Sequence, residues 1–543
     1  MQPDEGRNAE VAREMKESGS WLVPTYNGVD YLDKPSFFFK AVAFSLAAFG
    51  DNEAAARLPS ALFGLALVAM VYAFCRRVYQ SSRVAWLAVI AVAGMPLFFA
   101  HARIVIFDMT LAFFVCGAIF AGCLAEEAEG RTRRNWYLLG SAAAGFATLV
   151  KGPVGFIIPM LVLLVSQRMA GRRGVWRRLF HPFNFIVFFA ITLPWFVGLC
   201  LKRPDFLHYG LVEESFNRFT DASKFQRGKP FYYYAVIVAA TFFPWSLLLP
   251  EAAVTAWKRR RTLHRADVLC VVWSVLVVLF FSISQSKQPG YVLSVTVACG
   301  ILMARLFDAA LANVQSPSGR LVRRATMVLT VVTLVAFLAM TWGIFNLSEF
   351  IKAAGINIVD AQSLKPHLWA MAIAFAALTI CGAVGILRRR TWMSILCFGL
   401  CCPLFLVAGI RGADDVMEFR SGRSAAESLS SLSTDTEIAC LRCFPNGLPF
   451  YLGRTFTLIS EDGDELTSNY VLFKLKKTTD WPKNIVPEAE FDHWLATRTA
   501  PVYLIVRSRD GDMLETLAVA RGSTVDKISG KFQGALLPPE KVN

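Results

Sequence analysis

Ionisable residues that lie beside long apolar runs are the first feature of this sequence that points to chemistry. Asp108 stands inside Ile-Val-Ile-Phe-Asp-Met-Thr-Leu, Lys151 opens Lys-Gly-Pro, and Lys287 precedes Gln-Pro-Gly-Tyr, which ends at Tyr291. An ionisable group at the centre of a membrane helix costs about 2.5–3.5 kcal/mol on insertion scales, so such residues usually mark a site. We therefore treat these residues as candidates for a functional site.

Other charged residues occupy similar positions at the ends of apolar segments. They are Asp4, Glu5, Asp33, Lys34, Arg103, Arg227 and Lys229. Lysine and arginine beside apolar helices suit a lipid-linked phosphate, whose head group needs cations and whose tail needs the bilayer. Carboxylates among them could activate an acceptor or hold a metal ion.

Each of these residues also has a structural interpretation. Asp108 could cap the helix that follows it, because carboxylates are favoured at helix N-termini. Lys151 and Lys287 could extend to the membrane interface, as long basic side chains do. For Lys151, the following Gly-Pro favours a fixed turn instead.

The composition requires that these residues be positioned by membrane helices. The chain has 543 residues, 55% hydrophobic and 18% charged, with 44 Phe, 13 Trp and 13 Tyr. A mean hydropathy of +0.45 excludes a soluble multidomain enzyme and a disordered chain. The net charge of +15 lies in short clusters between apolar blocks, so we expect membrane lipids and no nucleic acid as partners.

The apolar blocks predict about twelve transmembrane helices. The predicted spans are 55–75, 84–100, 107–125, 136–150, 153–168, 183–201, 232–250, 267–284, 289–306, 325–346, 367–387 and 392–410. Every second loop is rich in arginine or lysine, which predicts that those loops are cytoplasmic and that both terminal segments face outward. Because an outward N-terminus needs something to carry it across, we expect a transmembrane helix ahead of Met1; the alternative is spontaneous translocation of the N-terminal segment.

Three regions follow from this pattern: an outward first loop with juxtamembrane helices (1–54), a transmembrane domain (55–410) and an outward α/β domain (411–543). In the last region the spacing predicts helices at 421–432 and 488–497 and strands at 437–441, 455–459, 502–506 and 523–528. Cys440 and Cys443 form a Cys-x-x-Cys there, and we expect a structural disulfide or two free thiols.

The first loop resembles that of a known class of enzymes. Residues 3–35 run Pro-Asp-Glu-Gly-Arg-Asn-Ala-Glu-Val-Ala-Arg-Glu-Met-Lys-Glu-Ser-Gly-Ser-Trp-Leu-Val-Pro-Thr-Tyr-Asn-Gly-Val-Asp-Tyr-Leu-Asp-Lys-Pro and resemble the first outer loop of GT-C glycosyltransferases. Within that class they are similar to the 4-amino-4-deoxy-L-arabinose lipid A transferases and the dolichyl-phosphate-mannose protein mannosyltransferases. Weaker resemblances follow in the same order at residues 56–60, 102–108, 151–153, 243–245, 284–291 and 448–454.

The resemblance implies site residues. The two family acids match Asp4, with Glu5 beside it, and Asp108. The donor-phosphate ligands match Lys34 and Tyr31, and the loop that lines the cavity holds Lys287 with Tyr291. We add Arg103, Lys151, Arg227 and Lys229 as substrate-binding candidates.

The chain departs from the family pattern at two places. Asn8 stands where relatives often have Tyr, and no His lies near Gln226 and Arg227. Aminoarabinose specificity and a zinc site are therefore not implied. A divalent metal stays open, with Asp33 as a candidate ligand.

The resulting hypothesis is an inverting glycosyltransferase of the bacterial inner membrane with a periplasmic active site. It would move a sugar from a polyprenyl-phosphate donor to an acceptor, with a lipid A-like glycolipid favoured over a protein. The alternatives are a flippase or transporter of lipid-linked sugars, and a scaffold with an outward binding domain. Transporters usually show repeat symmetry and helices broken at the midplane, whereas the candidate residues here gather on one predicted face.

Overall fold

The computed structural model describes residues 1, 3–210, 213, 229–258, 263–354, 362, 364–418, 422–475, 478, 481–528 and 531–540. Its helices are α1 (Pro3–Ser18), α2 (Phe37–Phe49), α3 (Glu53–Tyr79), α4 (Ser82–Ala93), α5 (Pro96–His101), α6 (Asp108–Glu127), α7 (Gly130–Lys151), α8 (Val154–Met169), α9 (Val175–Leu179), α10 (Pro182–Lys202), α11 (Phe206–His208), α12 (Tyr233–Thr241), α13 (Leu249–Lys258), α14 (Arg265–Ile283), α15 (Leu293–Ala312), α16 (Pro317–Phe345), α17 (Leu347–Ala354), α18 (Leu364–Leu387), α19 (Thr391–Glu418), α20 (Gly422–Leu429), α21 (Leu448–Leu452), α22 (Asn469–Leu475), α23 (Phe491–Ala496) and α24 (Gly511–Ala520).

Eight strands accompany these helices. They are β1 (Thr25–Tyr26), β2 (Val29–Asp30), β3 (Glu437–Leu441), β4 (Thr457–Ser460), β5 (Ile485–Pro487), β6 (Val502–Arg507), β7 (Val525–Lys527) and β8 (Phe532–Leu537). The chain divides into two compact units. Unit 1 comprises residues 1–59, 195–214 and 415–543, and unit 2 comprises residues 60–194 and 215–414.

Unit 2 is helical, because its sequence consists of apolar segments that satisfy their backbone hydrogen bonds internally. One buried core joins α6, α14 and α15, in which Phe120 stacks on Phe74 with ring centroids 4.0 Å apart. Local signals set the helix ends. Ser316 caps α16 by accepting a hydrogen bond from the backbone N–H of Gly319 at 3.0 Å, and Pro317 occupies its first turn.

Within the described residues, seven helices are long and apolar enough to cross a membrane, or eight if the bent pair 233–241 and 245–254 counts as one span. The seven are α3, α6, α10, α14, the segment 289–312, α16 and α18. Shorter apolar helices lie at 37–49, 82–93, 154–169 and 391–407. Each of the twelve predicted spans coincides with a helix or a pair of helices, and the number of crossings stays a prediction.

Unit 1 combines the first segment of the chain with the C-terminal region. A six-stranded sheet has the order β5-β4-β3-β6-β8-β7, in which β3 to β6 are parallel and β8 is antiparallel to its neighbours. The predicted strands at 437–441, 455–459, 502–506 and 523–528 and the helix at 488–497 are confirmed within a few residues. Strands β5 and β8 and helices α21, α22 and α24 were not predicted.

Hydrogen bonds hold the first segment of unit 1 against the C-terminal region. The side chain of Asn27 donates to the carbonyl of Phe456 at 2.9 Å and accepts from its N–H at 2.8 Å. Helix α1 passes so close to Gly447 that a Cβ on Gly6 would lie 2.4 Å from the Gly447 Cα. The start of α1 is therefore fixed by tertiary contacts as well as by the backbone hydrogen bonds of the helix.

Candidate functional site

Asp108 is the first residue of α6, and it is buried. A carboxylate in the first turn of a helix interacts favourably with the helix dipole, as the capping interpretation requires. The same carboxylate also forms an ion pair, because its Oδ1 lies 2.5 Å from the Nζ of Lys151. Asp108 therefore combines a helix-terminal position with a specific charged partner.

Lys151 ends α7, and its side chain is directed into unit 2. Gly152 follows with φ of +73°, a conformation that glycine adopts without strain, and the predicted fixed turn joins α7 to α8. The Lys151 side chain is only 11% exposed, and its Nζ lies 4.4 Å from the ring centroid of Tyr291 and 5.0 Å from that of Phe107. Cation–π contacts and the ion pair hold Lys151 in place, which favours the fixed position over a side chain that extends freely to the interface.

The Pro-Gly-Tyr turn passes directly over this ion pair. A Cβ added to Gly290 would lie 2.9 Å from the Cγ of Asp108 and 2.9 Å from the Nε2 of His101. His101 also contacts the carbonyl of Leu97 through Nδ1 at 2.9 Å. His101 therefore lies beside Asp108, although the sequence analysis did not select it. The available signal was its place in the sequence, five residues after Pro96 and two before the candidate Arg103.

Lys287 is a second buried lysine in unit 2. Its Nζ donates to the carbonyls of Ser284 at 2.5 Å and Lys229 at 3.1 Å. Desolvation lowers the pKa of Lys287 below the ordinary lysine value of 10.5. Within the described part of the chain no carboxylate lies within ion-pair distance of Lys287.

Tyr234 fixes the backbone next to Lys287. Its hydroxyl donates to the carbonyl of Gln288 at 3.1 Å and accepts from the N–H of the same residue at 3.3 Å. Tyr234 is fully buried. The sequence analysis missed this role, because a run of three tyrosines is also typical of a membrane interface.

Of three further predicted cations, two are exposed and one lies outside the described residues. Arg103 is exposed, with its guanidinium 5.2 Å from the ring centroid of Phe99. Lys229 is exposed and contributes its backbone carbonyl to Lys287. Arg227 lies outside the described residues.

The predicted acids of unit 1 lie at the start of α1 in different surroundings. Asp4 has a 59% exposed side chain and pairs with Arg7 at 2.8 Å. Arg7 is held in turn by Thr467, whose Oγ1 accepts from Nη1 at 2.6 Å. Glu5 is buried and accepts two hydrogen bonds from Arg57, at 3.1 and 3.3 Å. Of these two acids, Asp4 is thus the exposed one, whereas Glu5 is anchored within unit 1.

The remaining unit 1 candidates follow the β1–β2 hairpin. Tyr31 is buried, and its ring centroid lies 5.9 Å from the Arg7 guanidinium carbon. Lys34 is half-buried, and its Nζ donates to the backbone carbonyl of Asp33 at 2.6 Å. The Asp33 carboxylate accepts hydrogen bonds from the Tyr209 hydroxyl at 2.7 Å and from the N–H of Tyr470 at 2.8 Å.

Asp33 therefore stabilises the start of α22. Its second oxygen accepts from the N–H of Asn469 at 3.0 Å, so the carboxylate binds two N–H groups of the first turn. The described residues contain no group of three or more His, Cys, Asp or Glu that could hold a metal ion. These contacts favour a structural role for Asp33 over a metal-ligating one.

Comparison with known proteins agrees with this geometry. The family model of dolichyl-phosphate-mannose-protein mannosyltransferases matches residues 1–210. An undecaprenyl phosphate-alpha-4-amino-4-deoxy-L-arabinose arabinosyl transferase of Pseudomonas fluorescens is 28% identical over 68% of this chain and 66% of its own length. The corresponding transferase of Erwinia tasmaniensis is 31% identical over 56% of this chain and 54% of its own length. The chain thus spans about half to two thirds of the length of these two relatives.

The similarity of structure extends over nearly the whole chain. The crystal structure of ArnT from Cupriavidus metallidurans bound to undecaprenyl phosphate superimposes with a TM-score of 0.83 and 26% identity, covering 99% of this chain and 95% of that one. The fold is that of the GT-C integral-membrane glycosyltransferases, as the first loop predicted. Within that class the chain is similar to the 4-amino-4-deoxy-L-arabinose lipid A transferases.

Proposed function

We propose that this protein is a glycosyltransferase of the bacterial inner membrane. It transfers a sugar from a polyprenyl-phosphate donor to a lipid A-like acceptor on the periplasmic face, with inversion at the anomeric carbon. The fold, the similarity to undecaprenyl-phosphate-dependent transferases and the charged cluster of unit 2 support this function. The relatives described above are transferases of 4-amino-4-deoxy-L-arabinose by name, which makes a pentosamine the first donor to test.

The single observation that carries the proposal is the buried lysine Lys287. A buried cation is costly unless an anion compensates its charge, yet the described neighbours of its Nζ are the carbonyls of Ser284 and Lys229. A phosphate group would supply both the negative charge and the acceptor oxygens. Lys287 is therefore suited to bind the donor phosphate and to stabilise its charge as it leaves the sugar.

Asp108 and Lys151 have a different role in the proposed reaction. Because Lys151 is already paired, it positions the carboxylate of Asp108 and holds Tyr291 through its ring. Asp108 can then accept hydrogen bonds from hydroxyl groups of the sugar or the acceptor. Orienting the reactants in this way would speed the reaction without any proton transfer by Asp108.

In unit 1 we propose Asp4 as the acid that orients or deprotonates the acceptor nucleophile. Its exposed carboxylate pairs with Arg7 through one oxygen. Lys34 and Tyr31 are proposed ligands of the donor phosphate, by their match to the family pattern. The nucleophile attacks the anomeric carbon on the face opposite the phosphate, the carbon–oxygen bond to phosphate breaks, and polyprenyl phosphate leaves with the electron pair.

Transfer in detergent micelles tests the proposal, because micelles have no two leaflets and transport cannot produce the product. Purified protein, an undecaprenyl-phosphate pentosamine and lipid A should yield modified lipid A by mass spectrometry. For Lys287→Ala we expect the donor KM to rise by about 10- to 100-fold, as the loss of a charge-assisted hydrogen bond predicts. Lys352→Ala, which removes an exposed lysine side chain of α17 in the same unit, is the matched control.

The pH profile adds an independent readout. The lowered pKa of Lys287 means that its charge is lost as pH rises, starting below 10.5, so donor binding should weaken at alkaline pH. Lys287→Arg should move this weakening to higher pH, because arginine stays charged. An unchanged alkaline limb in this variant would contradict the role of Lys287, and product formation independent of the donor would contradict the transferase function.

A further inference from the structure

Unit 2 contains an apolar cavity that the proposed reaction does not use. It encloses about 510 Å³ of empty space, part of which is open to the surroundings, and lies among α6, α7, α8 and α10. Its lining includes Gly140, Ala144, Phe156, Leu163 and Phe188. The residues of the Asp108–Lys151 cluster do not line it.

Polar groups line one part of this cavity and connect it to an arginine-rich segment. The lining includes Tyr137 and Asn184. Asn184 donates to the carbonyl of Arg178 at 2.8 Å, and Arg178 binds the buried Glu126 through two contacts of 2.7 Å. The Tyr137 hydroxyl donates to the same glutamate. This part of the cavity is thus preformed by a hydrogen-bonded network.

The segment between α8 and α10 has a strong excess of positive charge. Residues 168–181 contain five arginines and no acidic residue, namely Arg168, Arg172, Arg173, Arg177 and Arg178. Among the described residues, Arg178 is the one arginine of this segment that pairs with Glu126. Arg172 has a buried Nε without a hydrogen-bond partner among the described residues, and Arg173 and Arg177 are exposed. The segment therefore has several guanidinium groups available to an anion.

Large apolar side chains border the same segment. Trp176 is 57% exposed and Phe183 is 54% exposed, and the guanidinium of Arg177 lies 5.2 Å from the Trp176 ring. Exposed Trp and Phe beside arginine are typical of the boundary between the hydrocarbon and the head groups of a bilayer. The cavity and the cationic segment therefore suit the two ends of one amphipathic molecule.

We propose that this cavity binds one acyl chain of an acidic phospholipid, whose phosphate contacts Arg172, Arg173 and Arg177. A basic pocket between membrane helices is a recurrent site for acidic head groups. The apolar lining suits an acyl chain, and the arginines of the neighbouring segment suit its phosphate. A free phosphate ion would leave the apolar cavity unused.

Native mass spectrometry of the purified full-length protein tests this site with two matched probes, dioleoyl phosphatidylglycerol and dioleoyl phosphatidylethanolamine. The chains of the probes are identical, so a difference in affinity reports the head group. We expect the acidic lipid to bind about tenfold more tightly. Ser141→Phe, which fills the cavity, should abolish this binding, whereas Leu139→Phe, at an exposed position of the same helix, should not.

The head-group contacts need their own variants. The double variant Arg173→Gln with Arg177→Gln should remove the preference for the acidic lipid, whereas Arg388→Gln with Arg390→Gln makes the same charge change at another exposed basic loop. Equal affinities for the two lipids, or unaltered binding by Ser141→Phe, would overturn the proposal. So would displacement of the acidic lipid from the wild-type protein by undecaprenyl phosphate.

A photoreactive acyl chain keeps the test decisive if Ser141→Phe does not fold. Phosphatidylglycerol with a diazirine on its chain should label peptides of α7, α8 and α10 in the wild-type protein. Labelling confined to other helices would overturn the proposal. The transferase assay in micelles is independent of this labelling, so failure of one does not imply failure of the other.

Discussion

Asp4 and Asp108 occupy the same local position, the first turn of a helix, but their surroundings in the two units are opposite. The Asp108 side chain is 7% exposed and lies 2.5 Å from Lys151, which is itself only 11% exposed. The Asp4 side chain is 59% exposed and lies 2.8 Å from Arg7. The sequence pattern that makes both residues candidates therefore does not distinguish the roles that their surroundings allow.

The difference in burial determines how strongly each pair is coupled. A buried pair interacts strongly because little water screens it, and the loss of one partner leaves an uncompensated charge. An exposed pair contributes about 0–1 kcal/mol, because water and salt screen it. Asp108 is thus a fixed element of unit 2, whereas the Asp4 carboxylate can change partners at small cost, as a group that acts on a substrate must.

The largest expected effect comes from breaking the buried pair. Asp108→Asn leaves Lys151 charged and unpaired, so we expect a loss of about 3–5 kcal/mol in stability and the loss of transfer. Thermal unfolding in detergent and the micelle assay measure the two effects. The double variant Asp108→Asn with Lys151→Met should regain most of the stability but no activity. An active double variant would show that the pair is only structural.

For the exposed acid Asp4 we expect the opposite balance, with little change in stability and a large loss of transfer. Asp4→Asn should change stability by less than about 1 kcal/mol and lower transfer by about 10²- to 10⁴-fold, the usual contribution of a general acid or base. Glu17→Gln is the matched control, because Glu17 is an acid of the same helix with a 51% exposed side chain and an arginine partner, Arg13. Equal losses in both variants would remove Asp4 from the proposed mechanism.

Much of unit 2 was predictable because a membrane helix can be recognised from one continuous apolar stretch of sequence. Asp108 and Lys151 were also identifiable, since each interrupts an apolar run. Their pairing was not predictable, because 43 residues separate them and only the packing of α6 against α7 brings them together. The same holds for the Pro-Gly-Tyr turn, whose approach to His101 depends on tertiary structure.

In unit 1 the missed elements are short or have a mixed pattern. Strand β5 has three residues and ends in proline, and β8 contains Gly534, so neither resembles a typical strand. Asp33 was a candidate metal ligand because its side chain is acidic and near other candidates. Its hydrogen bonds to α22 join residues more than 400 positions apart, which no local pattern indicates.

The smallest expected effect tests how rigidly the buried pair must be held. In Gly290→Ala the new Cβ would lie 2.9 Å from both the Asp108 Cγ and the His101 Nε2, so one of them must move. We expect transfer to fall by about tenfold with little change in stability, because a small misplacement of a positioning group is costly. Gly117→Ala is the control, since its Cβ would meet atoms of Met70 at an ordinary 3.6 Å. A fully active Gly290→Ala would mean that Asp108 tolerates displacement and that the pair serves stability more than orientation.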